Sequence, residues 1–231
     1  MNQIWYLSPS NQSENMGING YGSEQSQMYL LVDAITPHLD RCGVSFHVAD
    51  RDMTLAQRCT ASNKMGAAYH LALHSNASGK GQAWGPIAFY YSAGKELSEE
   101  MIRQLLALGQ ENNRYSNVQQ NSTFYELRKT NAPACLLEVD FHDSAVGVTF
   151  LTTRRKEIAE AIAKAIVSVD KKQWVDPPVQ EDDAMAEVIS LGLLDADSHG
   201  NHRWQDYMTR EEAAMALLRL KKALQKGFIY E

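Results

Sequence analysis

The stretch YHLALHSNAS, residues 69–78, decides the predicted fold. Tyr69 to Leu73 alternate between polar and apolar side chains and are mostly β-formers, which predicts a strand that ends at His74. The small polar residues 75–79 predict a loop after it. A histidine where a strand passes into a loop is typical of a ligand at the rim of an α/β sheet, and a capping or core histidine is the alternative. His74 is therefore the first candidate site residue.

Strands and helices alternate on both sides of this stretch. Four further strands are predicted, at residues 3–7, 44–49, 86–91 and 134–140. Three helices are predicted to begin at Ser23, Thr54 and Ser98, and a fourth carries the apolar residues of the segment 158–166. This alternation predicts an α/β fold with an open, twisted, mostly parallel sheet of about five to six strands flanked by helices.

The predicted domain boundary lies near residue 170. Residues 1–170 contain all the predicted strands and form the main domain. The segment KKQWVDPPVQ, residues 171–180, is charged and then interrupted by two prolines, which predicts a linker. Residues 181–231 predict a small helical unit, too small to hold a core alone, that docks on the main domain or on a partner.

Composition and charge exclude several classes of protein. The 231 residues are 44% hydrophobic and 22% charged, as in ordinary globular proteins. The net charge of −6 and the lack of a basic run argue against a nucleic-acid binder. The three cysteines, Cys42, Cys59 and Cys135, form no C-x-x-C pair and favour buried thiols in a reducing compartment. No signal peptide and no membrane span are predicted, so a cytoplasmic protein is expected.

Polar residues recur where the predicted strands meet loops. Asn11 follows the first strand, His74 ends the third, and Glu138 lies near the end of the fifth. Glu24 begins the first helix. Since the carboxyl ends of parallel strands line one crevice, we expect these side chains to share a site.

Glu138 is the most informative of these residues. It lies among Cys135, Leu136, Leu137 and Val139, where a carboxylate must be desolvated or paired, and either condition shifts its pKa. A salt bridge with Arg128 is the structural alternative. A carboxylate, an imidazole and a second, buried carboxylate together suit a zinc hydrolase with an open water position, although no H-E-x-x-H motif is present.

Residues 3–168 resemble the zinc-dependent N-acetylmuramoyl-L-alanine amidases found in bacterial cell-wall hydrolases and phage endolysins. The matching segments occur in order along the chain: GYGSE at 20–24, the pattern Arg51, Leu55, Arg58 and Asn63, LALHSNAS at 71–78, and LRKTNAPACLLEVDFHD at 127–143. The resemblance implies that Glu24 and His74 bind zinc and that Glu138 is the general base. It further implies hydrolysis of the amide between N-acetylmuramic acid and the L-alanine of the peptidoglycan stem peptide. We expect Asn76 and Arg128 to orient this substrate.

The first motif departs from the family pattern. The family carries D-P-G-H-G-G after its first strand, with the histidine as a zinc ligand, whereas this chain has Asn11 at the place of that histidine. Asparagine is a poor zinc ligand beside imidazole. Our preferred replacement is His142, four residues after Glu138. The alternatives are that Asn11 or water completes a weaker site, or that the domain binds wall peptides without metal. A zinc peptidase acting on another bond of the stem peptide is a third class of function.

Two expectations concern the surroundings of the enzyme. The absence of a signal peptide predicts release by a phage or prophage, or by lysis of the producing cell, before the enzyme acts on the wall. The tail segment DYMTREEAAMALLRL, residues 206–220, loosely resembles the helical half of surface-layer-homology repeats. A pair of helices that docks on the domain or forms a homodimer is the preferred interpretation of this tail.

Overall fold

The computed structural model describes residues 3–177 and 217–218, and its centre is a six-stranded sheet. The strands are β1 (Ile4–Pro9), β4 (Ser45–Val48), β5 (Tyr69–Asn76), β6 (Ile87–Tyr90), β7 (Val118–Gln120) and β8 (Ala134–Phe141). Their order across the sheet is β4-β1-β5-β8-β6-β7. All neighbouring pairs are parallel except β6 with β8. Two short strands, β2 (Met16–Gly17) and β3 (Gly22–Ser23), form a separate antiparallel pair.

Six helices cover the sheet in the described part of the chain. They are α1 (Glu24–Arg41), α2 (Leu55–Met65), α3 (Lys95–Leu106), α4 (Tyr125–Lys129), α5 (Ala145–Thr153) and α6 (Arg155–Val169). Helices α1 and α3 both contact α6 on one face of the sheet, and α2 contacts α4 on the other. The main hydrophobic core lies under α1, α3 and α6. No helix among the described residues combines the length and hydropathy needed to cross a bilayer.

Local side-chain chemistry explains where the first two long helices begin. Ser23 caps α1, because its hydroxyl accepts a hydrogen bond from the backbone N–H of Ser26 at 3.2 Å. Thr54 and Gln57 form a capping box at the start of α2. Gly66 ends α2 with a φ of 66°, a left-handed conformation that glycine adopts without strain.

The alternation along β5 decides which side chains face which layer. Leu71 and Leu73 belong to the main core under α1, α3 and α6. Ala72 belongs to a second cluster with Leu127 of α4, on the opposite face. Because side chains alternate along a strand, His70 and His74 lie on the same face as Ala72. The two histidines of this strand therefore point toward the α2 and α4 layer.

The chain divides into two units, Met1–Val175 and Asp176–Glu231. In the first unit, the segment after α6 packs against α1: Trp174 stacks on His38 with a ring separation of 5.5 Å, and Arg41 Nε donates to the carbonyl oxygen of Val175 at 3.1 Å. The first residues of the predicted linker thus contact the main domain. The predicted helical unit at 181–231 lies outside the described residues except for Leu217 and Leu218, which are helical.

The predicted α/β class and the mostly parallel sheet are confirmed. The prediction was wrong in its polar regions. No strand was predicted between residues 91 and 134, yet this part of the chain contains the edge strand β7, and the short helices α4 and α5 were not predicted. Helix α3 begins at Lys95, three residues before the predicted cap at Ser98. Strand β7 has no strong β-formers apart from its first residue, Val118, and exists because β6 supplies a hydrogen-bonded partner.

Candidate active site

The ends of three strands and the start of one helix meet at a single rim of the sheet. His74 lies near the end of β5 and pairs in register with Glu138 on the neighbouring strand β8. Glu24 is the first residue of α1, where a carboxylate interacts favourably with the helix dipole. The structure thus brings together three of the side chains that the sequence singles out.

Glu24 and His74 are in direct contact. The Nδ1 atom of His74 lies 2.7 Å from Oε1 of Glu24, and the backbone N–H of Ser75 is 3.4 Å from the same oxygen. Asn15 Nδ2 donates to the other oxygen of Glu24 at 2.9 Å. Burial alone would raise the pKa of Glu24, but the hydrogen bonds with His74 and Asn15 lower it, so the carboxylate stays ionised.

His74 is surrounded by carboxylates. His74 is 6% exposed, and burial alone would lower its pKa. The carboxylates of Glu126, Glu24 and Glu138 outweigh burial and raise the pKa of His74 to about 10. Three acids around one imidazole make this rim a site with a strong preference for a cation.

Glu138 contributes a carboxylate with one buried oxygen that has no partner among the described residues. Its Oε2 atom is buried and has no hydrogen bond in the described part of the structure. Burial raises the pKa of Glu138 to about 7, and the charge of His74 opposes this only in part. The predicted alternative, a salt bridge with Arg128, is not formed between these two described residues, and Arg128 is exposed.

Glu126 was not identified from the sequence. It lies on the unpredicted helix α4, is 2% exposed, and has its Oε2 atom 3.8 Å from Nε2 of His74. Its Oε1 atom accepts hydrogen bonds from Ser8 Oγ at 2.5 Å and from His70 Nε2 at 3.1 Å. Burial would raise the pKa of Glu126, but its hydrogen bond with His70 and the nearby imidazole of His74 hold that pKa well below the ordinary value. Two histidines on one strand face indicate that an acceptor is needed, but they do not indicate which acid supplies it.

Arg58 holds the loops beside this rim. Its side chain is fully buried and donates to the carbonyl oxygen of Pro9, to Ser8 Oγ at 3.2 Å and to Tyr29 Oη at 3.2 Å. It also donates to the carbonyl oxygen of Met53 at 3.1 Å. This guanidinium therefore connects α2 to the end of β1, where the chain departs from the family motif.

The two residues proposed to replace the missing family histidine have other contacts. Asn11 Nδ2 donates to the carbonyl oxygen of Met53 at 3.2 Å. His142 is 4% exposed, has Nδ1 2.9 Å from Ser75 Oγ, and stacks on Tyr21 with a ring separation of 6.0 Å. Ser75 is adjacent to His74, so the imidazole of His142 lies next to the candidate site, with this serine bound to its Nδ1 atom.

The two predicted substrate-binding residues lie at different places. Asn76 ends β5 beside the rim, and its Oδ1 atom accepts from the backbone N–H of Ala77 at 2.8 Å. Arg128 lies on α4, two residues after Glu126. Because residues two apart on a helix point in different directions, Arg128 is turned away from the buried side of α4 on which Glu126 lies.

The donor set fits a zinc ion, although it is incomplete. Among the described residues, no cluster of three or more histidine, cysteine, aspartate or glutamate side chains is arranged to hold a metal ion. Glu24 and His74 nevertheless converge within 2.7 Å, and both are ligand types that zinc prefers. The unpaired, buried Oε2 atom of Glu138 beside them suits a base that faces an open position of such an ion.

Comparison with known proteins identifies the fold and the family. A family model for N-acetylmuramoyl-L-alanine amidases matches residues 12–168. The amidase AmiC2 of Nostoc punctiforme is 20% identical, with a TM-score of 0.66 over 74% of this chain and 98% of its own. The catalytic domain of CwlV from Bacillus (Paenibacillus) polymyxa var. colistinus is 19% identical, with a TM-score of 0.65 over 74% of this chain and 99% of its own.

A third similar structure is the CwlD amidase from Clostridioides difficile in complex with the GerS lipoprotein. It is 18% identical, with a TM-score of 0.64 over 72% of this chain and 98% of that chain. A comparison with curated protein sequences finds no match. At these low sequence identities the solved structures establish a shared fold. The assignment to a family rests on the family model.

Proposed function

This chain belongs to the N-acetylmuramoyl-L-alanine amidase family, and we propose that it performs the family's hydrolysis with zinc held by Glu24 and His74 and with Glu138 as general base. The substrate is the peptidoglycan of bacterial cell walls, and the bond cleaved joins N-acetylmuramic acid to the L-alanine of the stem peptide. The observation that carries the proposal is the buried, unpaired Oε2 atom of Glu138 in register with His74, which in turn contacts Glu24.

Zinc, when bound, would polarise the scissile carbonyl and lower the pKa of the attacking water. Glu138 removes a proton from that water and returns it to the nitrogen of the leaving amine. A carboxylate whose pKa is raised to about 7 both accepts and donates a proton near neutral pH, as these two steps require. Glu24 and His74 hold the cation at the rim, and Asn15 keeps the Glu24 carboxylate oriented through its bond of 2.9 Å.

His142 stays the predicted third ligand. Because its Nδ1 atom contacts Ser75, its Nε2 atom would have to bind the ion. If His142 does not bind, Asn11 or water completes the site, as the sequence already allowed. Asn76, at the end of β5, is proposed to hydrogen-bond the stem peptide, and Arg128 is proposed to bind its carboxylates from the exposed side of α4.

The decisive experiment digests purified cell walls and identifies the new chemical groups. An amidase releases new amino-terminal alanine without new reducing sugar ends, in step with loss of turbidity. A zinc peptidase would release a different new amino terminus. A metal-free binding module would release nothing and would hold no zinc even after supplementation, which would refute the proposal.

Two further expectations, the role of the tail and the route of release, stay predictions. The tail, with its proposed homodimer or wall-binding role, lies almost entirely outside the described residues. Release by lysis of the producing cell, as for an endolysin, is tested by fractionation of the producing culture. Intact enzyme in the medium before lysis would contradict it.

A further inference from the structure

The imidazole of His74 has a second nitrogen that the proposed mechanism does not use. Nδ1 faces Glu24 at 2.7 Å, whereas Nε2 is buried, has no hydrogen bond in the described structure, and faces Oε2 of Glu126 at 3.8 Å. We propose that Glu126 is a positioning residue whose carboxylate holds the Nε2–H of His74, so that Nδ1 presents a lone pair to the zinc ion beside Glu24. This inference rests on the proposed function, since it concerns the same metal site.

Glu126 is itself held by neighbours that leave one oxygen free. Arg58 Nη1 donates a hydrogen bond to Ser8 Oγ at 3.2 Å. Because arginine is a donor only, the serine hydroxyl directs its own proton to Oε1 of Glu126, which lies 2.5 Å away. His70 Nε2 lies 3.1 Å from the same Oε1 atom, and Ser62 Oγ lies 3.1 Å from Nδ1 of His70. Oε1 therefore receives two hydrogen bonds, and Oε2 remains to accept one from His74.

The backbone of β5 leaves room for this carboxylate. His70, Ala72 and His74 lie on one face of the strand, and the small side chain of Ala72 lies between the two imidazoles. The two carboxylate oxygens of Glu126 lie 3.1 Å from Nε2 of His70 and 3.8 Å from Nε2 of His74, so the carboxylate lies on the same face of the strand as both rings. A buried acceptor placed there decides which nitrogen of His74 carries the proton, because an ionised carboxylate only accepts.

Direct coordination by Glu126 is the competing arrangement. A metal ion shared by Glu126 and His74 would lie at Nε2, on the side of the ring that faces Glu126. Glu24 contacts the opposite nitrogen, Nδ1, and would then be excluded as a ligand. Since Oε1 of Glu126 is already bound by Ser8 and His70, the contacts favour the positioning role. A carboxylate that binds the far nitrogen of a metal-bound histidine typically strengthens metal binding about 10- to 100-fold.

The first test measures zinc affinity of the full chain by competition with a chelator. Glu126→Gln is expected to weaken zinc binding by about 10- to 100-fold, because an amide is a weaker acceptor than a carboxylate. Glu99→Gln, which changes an acid with a 52% exposed side chain on α3, is the matched control and should leave the affinity unchanged. Urea unfolding of both variants verifies that each is folded. Equal affinity of wild type and Glu126→Gln would overturn the positioning role while leaving the proposed function intact.

The second test needs no substitution at Glu126. A long-range ¹H–¹⁵N spectrum of the zinc-loaded wild type, with His74 assigned by comparison with His74→Gln, shows which ring nitrogen is protonated. We expect a proton on Nε2 and zinc on Nδ1. Zinc on Nε2 would overturn the inference and make Glu126 a ligand. If the wild type binds no zinc, the proposed metal site fails and this inference fails with it.

Discussion

His74 Nδ1 and Glu24 Oε1 lie 2.7 Å apart although the two residues are separated by 50 positions in the sequence. The contact joins the end of a central strand to the first residue of α1. It also orients the imidazole, with one nitrogen toward Glu24 and the other toward Glu126. The chemistry of the site therefore depends on which neighbour each ring nitrogen contacts.

Removal of the proposed base should separate catalysis from metal binding. Glu138→Gln is expected to lower the rate of wall hydrolysis about 10²- to 10⁴-fold, because an amide cannot take the proton from water. Zinc content and thermal stability should stay close to wild type, since the carboxylate has no hydrogen bond at Oε2 to lose. Turbidity assays and metal analysis on one preparation check both. If this variant cleared cell walls at the wild-type rate, another group would be the base.

The zinc occupancy of single variants should show which residues bind the ion. His74→Ala and Glu24→Ala each remove a side chain at the proposed ion and should abolish stoichiometric zinc binding, measured by elemental analysis after dialysis. His142→Ala is predicted to lower occupancy as much as His74→Ala. The control for His142 is Tyr21→Phe, which removes only the hydroxyl that donates to Ser75 Oγ at 3.1 Å. Full occupancy in His142→Ala would remove His142 from the ligand set and return the third position to Asn11 or water.

Arg58 should be a stability residue beside the site. Arg58→Met fills similar space but leaves the buried Pro9 carbonyl, Ser8 and Tyr29 without their donor, which should lower the free energy of unfolding by about 2–4 kcal/mol. Urea unfolding measures this loss. Arg103→Met, which removes an exposed guanidinium paired with Glu100 on α3, should change it little. Similar losses of unfolding free energy in the two variants would contradict the stabilising role that we assign to Arg58.

The buried thiols should be inert until the protein unfolds. Burial raises the pKa of Cys59 and of Cys135 to about 12, so at pH 8 only about one in 10⁴ of these groups is a thiolate. N-Ethylmaleimide is expected to leave both unmodified in the native protein and to label them in denaturant, as mass spectrometry would show. Rapid native labelling at either position would contradict the packing described.

The raised pKa values of Cys59 and Cys135 also determine how the stability of the protein changes at alkaline pH. In the unfolded chain a thiol ionises near pH 8.5, whereas in the folded protein these two thiols stay neutral up to about pH 12. Stability that these groups contribute is therefore fully present below about pH 8.5 and is lost as the pH rises toward 12. The midpoint of urea unfolding should fall over this range. Cys59→Ala and Cys135→Ala should make that fall smaller.

Local sequence was sufficient for the scaffold and for part of the site. The alternation around residues 69–73 placed β5, and the caps at Ser23 and Thr54 placed α1 and α2, because each signal acts within a few residues. The predicted meeting of Glu24, His74 and Glu138 follows from the same order of elements, since parallel strands end at one rim. In each case the physical cause is short-range or topological, and a single chain displays it.

Tertiary structure alone decided the rest. Glu126 is 56 residues from His70 and 118 from Ser8, and no local pattern records that these three side chains meet. Strand β7 and helix α4 are held by pairing and packing with distant elements rather than by their own propensity. The sequence by itself determined the sheet and the residues at its rim; the fold determined which nitrogen of His74 faces which acid, because burial and hydrogen bonding depend on neighbours far away in the chain.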